Sequence, residues 1–118
     1  MRRAGWLLIA AIIAGPAAAQ DRAPADRQTL TDLAFLLGQS HALRQVCEGP
    51  QDQYWRSWMG RLLESEAPDD AFDRRLRDGF NTGFAAAQAR FPVCSEASKA
   101  EAGRTAQRGR ALARAAGG

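Results

Sequence analysis

Apolar residues recur at helical spacing in four stretches of this chain, and nowhere do they alternate with the two-residue period of a strand. The first stretch starts at Asp26, a suitable N-cap, and carries Leu33, Leu36, Leu43 and Cys47 on one stripe, with Leu30 and Leu37 alongside. Glu48-Gly49-Pro50 closes it, because glycine suits the left-handed closing turn and proline cannot continue the hydrogen-bond ladder. The second stretch, from about Asp52 to Glu66, places Trp55, Met59, Leu62, Leu63 and Glu66 on one side, flanked by Tyr54 and Trp58.

Pro68 breaks the pattern, and Asp69-Asp70 offers a cap for a third helix. There Phe72, Leu76, Phe80 and Phe84 repeat every four residues beside a row of small residues, Gly79, Gly83 and Ala87. A ridge of large side chains next to a groove of small ones is what close helix packing needs. Phe91-Pro92-Val93-Cys94 is a second break, and Ser95 can cap a last helix over 95–115, rich in alanine and carrying Leu112 as its one large aliphatic residue. The pattern therefore predicts an all-α, four-helix domain.

The ends of the chain add a destination. Met1-Arg2-Arg3 is basic, Gly5 to Gly15 is apolar and uncharged, and Pro16 to Ala19 are small, the order of a secretory signal peptide. The apolar run is shorter than the roughly 20 residues that a membrane-spanning helix needs. Residues 1–19 are therefore expected to be a signal peptide cleaved between Ala19 and Gln20, residues 20–25 a flexible leader and residues 26–116 one helical domain. No transmembrane segment is expected after cleavage, and the destination is the periplasm or the medium. Losing Arg2 and Arg3 takes sixteen basic residues to fourteen, against thirteen acidic ones. That near-neutral balance argues against a nucleic-acid partner.

Cys47 and Cys94 are the chain's two cysteines. Far apart in an exported chain, they are expected to pair as a structural disulfide joining the end of the first helix to the start of the fourth. Cysteine catalysis is then excluded for want of a thiolate. His41 is the one histidine, and it points about 120° away from Cys47 and lies about 9 Å from it along a helix axis, too far to share a metal. Neither a metal-ligand pair nor a haem attachment motif is present, so no cofactor is expected. Glu64 and Glu66 diverge by about 200° on their helix and do not make a convergent carboxylate pair. The cluster Tyr54 to Met59 can supply either core or an aromatic–arginine binding surface.

Read in order, LLGQSHALRQVC, WRSWMGRLLESEAP, FNTGF and the alanine-rich segment from Cys94 through Gly109 and Leu112 resemble an uncharacterised family of small secreted proteins from alphaproteobacteria. The resemblance spans nearly all of the chain after the signal, with the pattern LGxxHxLRxxC, WRxxM, FNxG and a later cysteine. It implies signature positions at His41, Arg44, Cys47, Trp55, Arg56, Met59, Glu66, Asn81 and Cys94. Ala42 and Phe84 stand where the family commonly carries tyrosine. The resemblance implies export, the disulfide and a single domain, and no activity.

Those positions suggest that His41, Arg44, Arg56, Glu66 and Asn81 pair between helices, with Trp55 beside them. Such a cluster either fixes helix register or lines a small pocket. The expectation is thus an exported, non-catalytic binding or structural component of the cell envelope, with an envelope protein or polymer as partner and a homodimer left open. The alternative is a small-ligand-binding module, or an enzyme, built on that cluster.

Overall fold

The computed structural model describes residues 22–117. The expected signal peptide and its cleavage point lie outside these residues. Four helices follow one another: α1 (Pro24–Glu48), α2 (Tyr54–Glu66), α3 (Asp70–Arg90) and α4 (Glu96–Ala115). The described residues contain no strand. None of their helices is long and apolar enough to cross a membrane.

The helix ends follow local chemistry. Pro24 occupies the first turn of α1, where its missing N–H is no loss and its fixed φ is helical already. The helix therefore takes in Pro24 and Ala25 from the expected leader, and Asp26 sits in the first turn, where its charge complements the helix dipole. Asp52, expected at the start of the second helix, instead lies in the preceding loop and accepts from the Tyr54 amide at 3.1 Å. Asp69 caps α3 by accepting from the Phe72 amide at 2.8 Å. Ser95 and Ser98 cap α4 reciprocally, each hydroxyl accepting from the other's amide, at 3.1 and 2.9 Å.

α1 is the hub, and its two sides are covered differently. On one side α3 runs parallel to it, with Gly79 opposite Thr31 and Gly83 opposite Phe35 at the same register. The row of small residues read from the sequence meets a further one on α1. A Cβ on Gly83 would overlap the carbonyl of Phe35, and one on Gly38 would overlap that of Phe80, so both glycines are required for the backbones to touch. On the other side α2 and α4 each run antiparallel to α1 and stand apart from one another.

The main core joins Leu30, Leu33, Ala34 and Leu37 of α1 to Met59 of α2 and to Phe72, Leu76 and Phe80 of α3. Ala42, Leu43 and Ala87 form a smaller cluster beyond it. At that end Cys47 and Cys94 are disulfide-bonded, with Cα atoms 4.9 Å apart, joining the end of α1 to the segment before α4. Closing a loop of this length stabilises a fold by about 4 kcal/mol in the chain-entropy view. That matches the order of a small domain's net stability.

Candidate functional site

The residues expected to cluster are divided between two places. At the disulfide end, His41 is buried on α1 and its ring sits between those of Phe80 and Phe84, at centroid distances of 5.6 and 5.2 Å. Its Nδ1 is buried and makes no hydrogen bond among the described residues. Burial pushes the imidazole below its ordinary pKa, the positive charge of Arg56 adds to that shift, and the charge of Asp52 opposes it.

Arg44 reaches the same end from the outside. Its Nε donates to both carboxylate oxygens of Asp52, at 2.9 and 2.8 Å, and its guanidinium lies 4.8 Å from the centre of the Tyr54 ring. Burial works against ionisation of Asp52, but the hydrogen bonds from Arg44 and from the Tyr54 amide, with the Arg44 charge, outweigh it and hold the carboxyl below its usual range. Gln45 donates to the carbonyls of Pro50 and Asp52, at 2.8 and 3.1 Å. Together these contacts fold the loop between α1 and α2. Arg56 is exposed nearby, and Asn81 is exposed on α3 and joins neither place.

Glu66 lies at the opposite end, buried, with a partner that periodicity could not reveal. Arg22 binds its carboxylate through two nitrogens, Nε at 2.7 Å and Nη2 at 2.8 Å, and gives Nη1 to the carbonyl of Ala116 at 2.8 Å. Hydrogen bonding to Glu66 raises the Arg22 pKa against the effect of burial. One guanidinium thus ties the C-terminal ends of α2 and α4 together and satisfies a carbonyl that helix geometry leaves open. Arg22 falls in the stretch read as a flexible leader, and no spacing rule marks it.

Between these ends the gap separating α2 from α4 is a groove of about 550 Å3 with α1 as its floor. That volume is within the roughly 300–1,000 Å3 of small-molecule sites. Leu30, Leu33, Leu36 and Leu37 form the floor. α2 contributes Trp55, Trp58 and Leu62, and α4 contributes small residues, Ala106, Gly109 and Ala113. The wall from α4 is too short to fill the space, which is why the groove stays open. Tyr54 and Trp58 are 49% and 44% exposed at its edge, large apolar surface that a closed core would have covered. Of the residues singled out in the sequence, Trp55 and Glu66 line the groove; His41, Arg44, Arg56 and Asn81 do not.

Arg61 and Arg110 also line it. Arg61 stacks over Trp58 at 4.7 Å from the ring centre. In so alanine-rich a helix no spacing marks Gly109 or Arg110 as groove residues: Gly109 is marked only by the family resemblance and Arg110 only as one of the basic residues of the last helix. Residues 24–116, the whole four-helix unit, match the family described as "Protein of unknown function (DUF2385)". The chain belongs to this family. The family's extent coincides with the helical unit and stops at Ala116, the residue whose carbonyl Arg22 holds. No curated protein and no solved structure matches the chain.

Proposed function

We propose that this member of the family is an exported, non-catalytic binding protein of the cell envelope, and that its binding surface is the groove between α2 and α4. The groove is the observation that carries the reading: Tyr54 and Trp58 stand exposed at its edge and Leu36, Trp55 and Leu62 are half-buried along it, apolar surface left in water that a ligand would cover. The cysteines, the histidine and the buried glutamate are engaged in holding the fold. Both cysteines form the disulfide, His41 is packed between two phenylalanines, and both oxygens of Glu66 are bound by Arg22. The N-terminal signal pattern and the disulfide together support export.

The test is native mass spectrometry of the protein purified from periplasmic extract, as wild type and as Gly109→Leu. A Cβ at Gly109 would meet Leu33 at 4.0 Å, an ordinary contact, so a leucine there projects into the groove without displacing backbone. The reading expects a non-covalent adduct on the wild type that is absent from the variant. A wild type that carries nothing, or an adduct that survives the substitution, contradicts it.

A further inference from the structure

We propose that the groove takes a medium-chain fatty carboxylate, with its headgroup between Arg61 and Arg110 and its tail on the leucine floor of α1. The inference rests on the groove being the binding surface and names what occupies it. It starts from charge. The groove is lined by one carboxylate, Glu66, and by three arginines, Arg22, Arg61 and Arg110. Arg22 and Glu66 neutralise each other. Among the described residues Arg61 stacks on Trp58 and makes no side-chain hydrogen bond or ion pair, and neither does Arg110. Two cations beside a strip of leucine and tryptophan, with no competing anion, suit a ligand that is anionic at one end and apolar along its length.

Register brings the two cations together. Arg22 binds Glu66 and Ala116 at once, which sets these two residues level across the groove. Arg61 is five residues before Glu66 and Arg110 six before Ala116. Along parallel helices that places them about 7.5 and 9 Å from the Arg22 bridge, at similar heights on opposite walls.

Length then limits the tail. In one direction the groove ends in the polar bridge of Arg22, Glu66 and Ala116, so the tail runs the other way, over Leu36 and Leu37 and along Trp55. The seven residues from Arg61 back to Tyr54 span about 10 Å. There the polar residues Ser40 and Thr105 join the lining and the run of leucines on the floor ends. An extended chain advances about 1.25 Å per methylene, the axial projection of a bond of about 1.52 Å. About eight methylenes fit, the tail of a decanoate-sized acid.

The probe is sodium decanoate below its micelle-forming concentration, titrated into the wild-type protein without its signal peptide by isothermal calorimetry, beside decanol as its uncharged counterpart. Arg61 and Arg110 are exposed, so Arg61→Ala/Arg110→Ala leaves the core intact, and an unchanged melting temperature verifies this. The expected result is one decanoate per chain, weakened tenfold or more in the double variant and abolished in Gly109→Leu, with decanol binding unaffected by the arginine replacements. From hexanoate to decanoate each added methylene tightens binding about two- to fourfold, and longer acids gain little.

Decanol and decanoate binding equally, with no effect of the arginines, overturns the carboxylate assignment while leaving the groove as an apolar site. Decanoate binding that persists in Gly109→Leu overturns both. No binding of either probe to the wild type overturns the inference, and the adduct measurement then decides the groove by itself.

Discussion

The two sides of α1 are built from opposite choices of side-chain size. Toward α3, Gly38 meets the backbone of Phe80 and Gly83 meets that of Phe35, so two helices pack with nothing between their backbones at the crossing. Toward α2 and α4, large residues stand on one wall and small ones on the other, and a space of about 550 Å3 remains. The side whose glycines let backbone meet backbone closes, whereas the side where the small residues of α4 stand across from the tryptophans and leucine of α2 stays open. Helix separation follows the side chains at the contact. One helix thereby supplies both a closed seam and the floor of an open groove.

The largest expected effect tests what holds the open side together. α4 presents mostly small residues to α1, and the disulfide pins the segment that leads into it. Replacing Cys47 and Cys94 by serine is expected to lower stability by about 4 kcal/mol in urea unfolding. Hydrogen exchange should accelerate in α4 before it does in α3; uniform acceleration would break the distinction between the sides.

Next are the glycines themselves. Gly83→Ala, or Gly38→Ala, forces a methyl group into backbone and is expected to cost about 3 kcal/mol. Gly109→Ala adds the same methyl at ordinary contact distance from Leu33 and is expected to stabilise by about 0.8 kcal/mol through helix propensity. Chemical denaturation of the three variants gives opposite signs if the comparison holds and like signs if it does not.

A smaller cost is expected at the bridge that closes one end of the groove. Arg22→Met leaves the Glu66 carboxylate without its two hydrogen bonds and should destabilise by about 2 kcal/mol. Arg22→Met/Glu66→Gln should recover part of this, because no unpaired charge is left behind. A double variant no better than the single one would show that the bridge acts through something other than charge pairing.

The order of helices, their breaks and the disulfide were all legible in the spacing of apolar residues and the placement of Gly, Pro, Ser and Cys. So was the α3 half of the seam, because Gly79, Gly83 and Ala87 repeat at one interval. Its α1 half was not, since Gly38 is a single glycine and periodicity cannot say which helix it faces. The polar residues illustrate the same limit. His41, Arg44 and Arg56 do gather at one end of the bundle, but Glu66 is at the other, because α2 runs antiparallel to α1 and carries its ends to opposite poles. Its partner Arg22 lies before the first regular element, and the groove arises from two helices that fail to meet, which no stripe on either one records.

The smallest effect concerns the seam's own histidine. His41 is held below its ordinary pKa of 6.5 in the fold, so as the pH falls the unfolded chain takes up the proton first. Its contribution is complete above about pH 6.5 and declines as the pH drops from there toward the lowered folded value. Asp52 and Glu101, whose folded pKa values are also lowered, lose their contributions at more acidic pH. The urea midpoint should therefore fall between pH 7.5 and 5.5 in the wild type and stay level in His41→Phe. An equal slope in both would remove His41 from the account.

The central claim is that ligand is taken on one side of α1 and not the other, and a two-dimensional amide NMR titration with decanoate tests it most directly. The account predicts shifts in the signals of Leu33 to Ser40, the Trp58 indole and Gly109, while Gly79, Gly83 and Asn81 hold still. Shifts centred on α3 and His41, or none at saturating decanoate, would contradict it.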